Sequence, residues 1–184
     1  MEGRYELLLG MKKLRRKLLL GATGNVLEVA VGTGENLPFY NGDCQLTAID
    51  MSEAMLDRAK TRAKKIGLNA KFLSMDAEIL SFPEDSFDTV VSSLSMCTFP
   101  DPIGVLNEMA RVCRPNGRIL LLEHGRSSVE FLARWMDRRA ERHAERAGCH
   151  WNREPLELVQ QAGLRIVETQ RTFFGVMHMI NAEC

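Results

Sequence analysis

Short apolar runs alternate along this chain with stretches in which apolar residues recur every three or four positions. A strand covered on both faces is apolar at almost every position, as in Val26-Leu27-Glu28-Val29-Ala30-Val31, whereas a helix lying on a sheet is apolar along one stripe. Alternation of the two predicts βαβ units and a parallel sheet. Strands are expected over 26–31, 45–49, 70–73, 89–92 and 118–122, and 165–170 with 175–182 reads as a closing pair near enough for a hairpin.

The helices between them carry their own end signals. Ser52 is placed to cap a helix with Met55, Ala59, Ala63 and Ile66 on one face and Gly67 as its stop. Asp101 and Pro102 open another, because a carboxylate accepts from the free N–H groups and proline loses no bond at the first helical position. Ile103, Leu106 and Ala110 give that helix an inward face. Asn152 is expected to cap a helix ending at Gly163. Residues 131–147 read as one charged helix, with Leu132, Trp135 and Met136 as its apolar contacts. Ahead of the first strand, Leu7, Met11, Leu14 and Leu18 fall at helical spacing beside Arg4, Lys12, Lys13, Arg15, Arg16 and Lys17. Such a basic amphipathic helix over 1–20 either packs on the domain or lies on an anionic membrane surface.

A chain of 184 residues is the usual size of one domain, here 1–184. Twenty-four basic side chains balance 24 acidic ones, so no nucleic-acid partner is expected. The N-terminus carries no secretory pattern, and no apolar run reaches the roughly 20 residues that span a bilayer. Cys44, Cys97, Cys113, Cys149 and Cys184 form no C-x-x-C pair, and their odd number fits free thiols in the cytoplasm or another reducing compartment. Neither they nor His143, His150 and His178 show metal-ligand spacing, and no metal is expected.

Chemistry concentrates where the first strand enters the turn Gly32-Thr33-Gly34-Glu35-Asn36. Ligands of open α/β sheets bind beyond the carboxyl ends of strands, and a glycine there admits close approach of the backbone. Three acids strengthen the reading. Glu28 is a charge inside an apolar strand, which demands a partner: the turn's N–H groups or a ligand ammonium. Asp50 ends the second strand, where a carboxylate accepts both hydroxyls of a ribose. Asp76 follows the third, where it accepts from an adenine amino group.

These segments, in this order, resemble the class I S-adenosylmethionine-dependent methyltransferases. The nearest likeness is to the ubiquinone/menaquinone C-methyltransferases, the bacterial phospholipid N-methyltransferases and the membrane-associated alkyl-thiol methyltransferases. Leu27-Glu28-Val29-Ala30-Val31-Gly32-Thr33-Gly34, Ile49-Asp50-Met51-Ser52, Phe99-Pro100-Asp101-Pro102, Arg111-Val112-Cys113-Arg114-Pro115-Asn116-Gly117 and Leu122-Glu123-His124 carry it. The resemblance implies a Rossmann-like, seven-stranded, mostly parallel sheet with helices on both faces and an antiparallel last strand. It implies S-adenosyl-L-methionine as cofactor, held by Glu28, Ala30, Gly32, Gly34, Asn36, Asp50, Met51, Asp76, Ala77 and Ser93. Ala30 stands in place of the family's first glycine, and an alanine is accommodated there at a negative φ.

A sulfonium methyl is already activated, so catalysis needs a nucleophile held in line about 3–3.5 Å away and water excluded. His124, after the fifth strand, is the candidate general base, and hydrogen bonding to its loop is the alternative. Asp101 reads as a helix cap. The acceptor pocket is expected from the N-terminal helix and a helical insertion over 126–150, with Cys97 and Trp135 lining it. Both segments are amphipathic and basic, which points to a small hydrophobic or lipid-like acceptor: a thiol, quinol or amine reached by peripheral membrane contact. Two other readings share the glycine turn: a non-catalytic binding or assembly factor on the same fold, and an NAD(P)-dependent oxidoreductase. The latter wants a third glycine where Leu37 stands.

Overall fold

The computed structural model describes residues 10–184. In chain order it comprises α1 (Met11–Leu19), β1 (Asn25–Val29), a single 3-10 turn (Leu37–Phe39), β2 (Gln45–Asp50), α2 (Glu53–Ile66), β3 (Ala70–Ser74), β4 (Phe87–Ser93), α3 (Pro102–Val112), β5 (Cys113–His124), α4 (Glu130–Asp137), α5 (Ala140–Ala147), α6 (Pro155–Gln161), β6 (Arg165–Thr172) and β7 (Met177–Glu183). The seven strands form one sheet in the order β3-β2-β1-β4-β5-β7-β6. The first five pair in parallel. β7 runs antiparallel between β5 and β6. All seven expected strands are present, and the expected hairpin is the β6–β7 pair.

The strand order reverses between β1 and β4, which opens a crevice at their carboxyl ends. Both faces of the central strands are covered, which is why β1 reads as an apolar run. On one face Leu27, Val29 and Ile49 pack against Leu106 and Met109 of α3 and Val159 of α6. On the other, Val26, Ala48 and Val91 pack against Leu14 and Leu18 of α1 and Leu56, Ala59 and Ala63 of α2. The buried stripe of α2 is thus Leu56-Ala59-Ala63, while Met55 and Ile66 at its flanks are exposed. Ser52 Oγ accepts from the Met55 N–H, and Gly67 closes the helix at φ 69°. Asp101 Oδ1 accepts from the Gly104 N–H at 2.9 Å, so Asp101 caps α3 as expected.

Three expectations need correction. The charged segment over 131–147 is two helices, broken at Arg138 and Arg139. Asn152 is not the cap of α6: the helix begins at Pro155 with Glu154 before it, and the Asn152 amide instead donates to Asp137. Free thiols hold for Cys44, Cys97 and Cys149. Cys113 and Cys184 form a disulfide that ties the start of β5 to the end of the chain, their Cα atoms 6.5 Å apart. They meet because antiparallel β7 returns the chain to the start of β5, a pairing that linear spacing does not display.

The choice between a packed and a membrane-lying N-terminal helix is decided for its described part. Met11, Leu14 and Leu18 are buried against the sheet, and Lys12, Lys13, Arg16 and Lys17 face outward. Arg4 and Leu7 lie outside the described residues. Among the described residues no helix is long and apolar enough to cross a membrane.

Candidate active site

The turn after β1 is built on left-handed backbone. Gly32 and Gly34 have φ of 56° and 78°, and Ala30 has φ 52°. The expectation of a negative φ at Ala30 is therefore overturned: the turn imposes its geometry on the alanine, whose Cβ then crowds the following carbonyl. Ala30→Gly is accordingly expected to raise stability by about 1 kcal/mol in urea unfolding, the relief of strain exceeding the added freedom of the unfolded chain. The two glycines differ in what a side chain would meet. A Cβ on Gly34 would lie 2.6 Å from Leu37 Cδ1, so this glycine serves close packing of the turn on α2. A Cβ on Gly32 would meet nothing within 4 Å. The space above Gly32 is an open cradle lined by backbone.

Asp50 closes the cradle from the next strand. Its Oδ2 accepts from the Gly32 N–H at 2.8 Å and its Oδ1 from the Ser52 N–H at 2.9 Å. Each oxygen keeps a further lone pair for a ligand hydroxyl. Met51 beside it is 74% exposed, and Ile79, beyond β3, is 72% exposed. Asp76 Oδ1 holds the Glu78 N–H at 2.9 Å, and Ala77 is buried below it. Ile79 is absent from the sequence expectations, since nothing in its local pattern separates it from a loop residue.

Beneath the cradle runs a buried polar chain. Arg15 of α1 donates to Asn36 Oδ1 at 2.6 Å. The Asn36 amide donates to Glu28 Oε1 at 2.9 Å and to Ser93 Oγ at 3.0 Å. The buried Glu28 carboxyl is also approached by the Tyr40 hydroxyl. Burial pushes the Glu28 pKa up to about 7, against the hydrogen bonds of Tyr40 and Asn36 and the charge of Arg15. Three of the expected residues, Glu28, Asn36 and Ser93, thus converge at the ends of β1 and β4, while Gly32 is joined to Asp50 of β2. Arg15 was read from the sequence only as part of a basic stripe; its buried role comes from the docking of α1.

A second buried acid lies one strand over. Glu123, 0% exposed, accepts from Ser92 Oγ at 3.1 Å, the Ser95 N–H at 3.0 Å and the Met96 N–H at 3.2 Å. It shapes the loop after β4, and burial raises its pKa to about 7. The signal was present: like Glu28, it is a charge in an apolar strand.

His124 is the last residue of β5, and its Nε2 lies 3.4 Å from Cys149 Sγ. Burial lowers its pKa, but the Cys149 thiol and Glu123 outweigh that and the net shift is upward. The ring also donates to the Trp151 backbone. His124 is thus held between partners rather than turned to open space. Cys97 is buried in the same place. Trp135 packs on Trp151, ring centres 5.5 Å apart, with the Arg139 guanidinium 4.7 Å over its other side. It belongs to the segment expected to line the acceptor pocket, and it packs against Trp151 just beyond that segment.

A family model described as a methyltransferase domain matches residues 27–121. The chain belongs to this family. Methyltransferase OMS1, mitochondrial, from Saccharomyces cerevisiae is 32% identical over 93% of this chain and 40% of its own length. A phosphatidylethanolamine N-methyltransferase from Cereibacter sphaeroides is 44% identical over 55% of this chain and 51% of its own length. The chain therefore spans about half the length, or less, of these curated relatives. A crystal structure of a SAM dependent methyltransferase from Aquifex aeolicus shares the fold at a TM-score of 0.69 and 19% identity, over 96% of this chain and 90% of that one. The protein carries a methyltransferase domain. Membership sets aside the oxidoreductase reading.

Proposed function

We propose that this methyltransferase domain transfers a methyl group from S-adenosylmethionine to an amine-bearing, lipid-like acceptor. Two acids support the cofactor site: the buried carboxyl of Glu28 in the strand that enters the turn, and Asp50, whose oxygens accept from the Gly32 and Ser52 N–H groups beside the open space at Gly32. An α-ammonium group suits the first acid and a ribose the second. Met51, Ile79, Asp76 and Ala77 suit the adenine, and Ser93 with Asn36 suits the methionine portion. Bound there, the cofactor supplies a methyl group already activated for displacement. The chain's own work is to orient it and to exclude water. No proton transfer is assigned to His124, whose ring is engaged on both sides; the acceptor ammonium loses one proton to solvent before its lone pair attacks, and the methylated ammonium loses another afterwards.

Support for a lipid-like acceptor is twofold. The relative matched at higher identity is named for a phospholipid amine. Phe131 and Phe174 are 79% and 75% exposed, and the Phe174 carbonyl is bound by Ser127 and Ser128 in the segment after β5. Apolar side chains so placed, beside the arginines of α4 and α5, suit an anionic membrane surface. Incubation with methyl-labelled S-adenosylmethionine is expected to label phosphatidylethanolamine in mixed anionic vesicles. Label appearing only in a small thiol or a quinol would overturn the amine acceptor. Tight cofactor binding with no transfer to any of the three would favour a non-catalytic role on the same fold.

A further inference from the structure

Three soft ligands from separate parts of the sequence meet beyond the carboxyl ends of β4 and β5: Cys97 from the loop after β4, His124 from the end of β5, and Cys149 from the turn after α5. Their ligand atoms all lie within 4.8 Å of one another. We propose that Cys97, His124 and Cys149 bind a zinc ion, with the fourth position left to water.

The geometry is near what the metal asks. Zinc holds sulfur at about 2.3 Å and nitrogen at about 2.0 Å, which sets tetrahedral sulfur–nitrogen separations near 3.5 Å and sulfur–sulfur separations near 3.8 Å. Cys149 Sγ and His124 Nε2 already stand 3.4 Å apart. Closure therefore needs a shift of about 1 Å at most. Two thiolates and a neutral imidazole also match the charge and softness that zinc prefers.

The backbone around the three ligands is fastened. The His150 N–H donates to the Cys97 carbonyl at 2.8 Å, joining the two cysteine loops directly. The Arg153 guanidinium clamps the Met96 and Phe99 carbonyls on either side of Cys97. The His124 ring donates to the Trp151 backbone, the kind of outer contact that fixes the tautomer and aim of a metal-bound histidine. His143 stacks on Trp151 at 4.1 Å and so borders the site without being one of the three ligands. Cys97 is buried, whereas His124 and Cys149 are half-buried. The cluster is thus partly accessible to solvent, as an exchangeable fourth position requires. No C-x-x-C spacing announces it, because the ligands come from three loops that only the fold assembles.

This site shares no residue with the proposed cofactor site, and its test does not use methyl transfer. The protein, fully reduced and stripped of metal, is titrated with zinc against a chromophoric chelator, and separately with cobalt. One equivalent of zinc is expected to bind with a dissociation constant below about 1 μM. Cobalt is expected to give a thiolate charge-transfer band. Cys97→Ser, His124→Ala and Cys149→Ser should each weaken zinc by about 100-fold or more, beyond what loss of an orienting partner causes. Cys44→Ser should leave it unchanged. Circular dichroism confirms that each variant is folded, and cobalt spectra of the two cysteine variants show whether one thiolate is lost. Absence of binding by the reduced, folded wild type overturns the proposal. So does binding that all three variants retain, or a reduced pair that binds no metal and instead closes to a Cys97–Cys149 disulfide on mild oxidation.

Discussion

Asp50→Ala is expected to weaken S-adenosylmethionine binding by about 2–4 kcal/mol, roughly 30- to 1,000-fold, in calorimetric titration. A carboxylate that accepts two hydroxyls makes two charge-assisted bonds, each worth about 1.5–3 kcal/mol. Asp50 is ready to make them without rearrangement, because the Gly32 and Ser52 N–H groups already fix both of its oxygens. Fixing costs entropy before the ligand arrives rather than during binding. The same contacts mean that Asp50→Ala also loosens the glycine turn. Asp50→Asn separates the two effects: it keeps one accepting oxygen and most of the side chain's shape, so its affinity should fall between wild type and the alanine variant. Equal affinity of all three proteins would remove Asp50 from the cofactor site.

Glu28 should make the unliganded protein less stable as pH rises. Its folded pKa is about 7 against 4.5 unperturbed, because its charged form is desolvated. Below 4.5 the carboxyl is neutral whether folded or not, and its contribution is fully present. Between 4.5 and 7 the unfolded chain ionises while the folded one holds its proton, so stability falls with pH, and above 7 the loss is complete. The shift corresponds to roughly 3 kcal/mol. Glu123 titrates in the same direction, and His178, pushed down to about 4 by burial, titrates nearby. The measurement is therefore the difference between wild type and Glu28→Gln in urea unfolding. The variant should gain on wild type as pH rises from 5 to 8. A constant difference across that range would mean that Glu28 is ionised throughout. Added cofactor should flatten the wild-type trend, since an ammonium beside the Glu28 carboxyl favours the ionised form.

How far this was legible without coordinates varies by residue. Val26–Val31 reads as a buried strand because both faces of β1 are covered. Ser52, Gly67, Asp101 and Pro102 mark helix ends because capping is a local hydrogen-bond problem, solved within a few residues. Asp50 and Asp76 stand out as candidates because strand ends of a parallel sheet all face one crevice, so order along the chain maps onto position at that edge. Local signals failed where long-range contacts overrode them. The buried stripe of α2 shifted to Leu56, and Ala30 took a positive φ, because neighbouring packing and the turn dictated both.

The sequence by itself determined the alternation of strands and helices, the glycine turn, and an acid stranded in an apolar strand, Glu28. Each is a short-range or periodic property, readable one window at a time. Only the tertiary structure decided which distant groups meet. It placed Arg15 of α1 under Asn36 and Glu28, it joined Cys113 to Cys184, and it gathered Cys97, His124 and Cys149 from three loops. Such pairings depend on strand order and on how helices dock. Many remote residues set these together, and no local pattern encodes them.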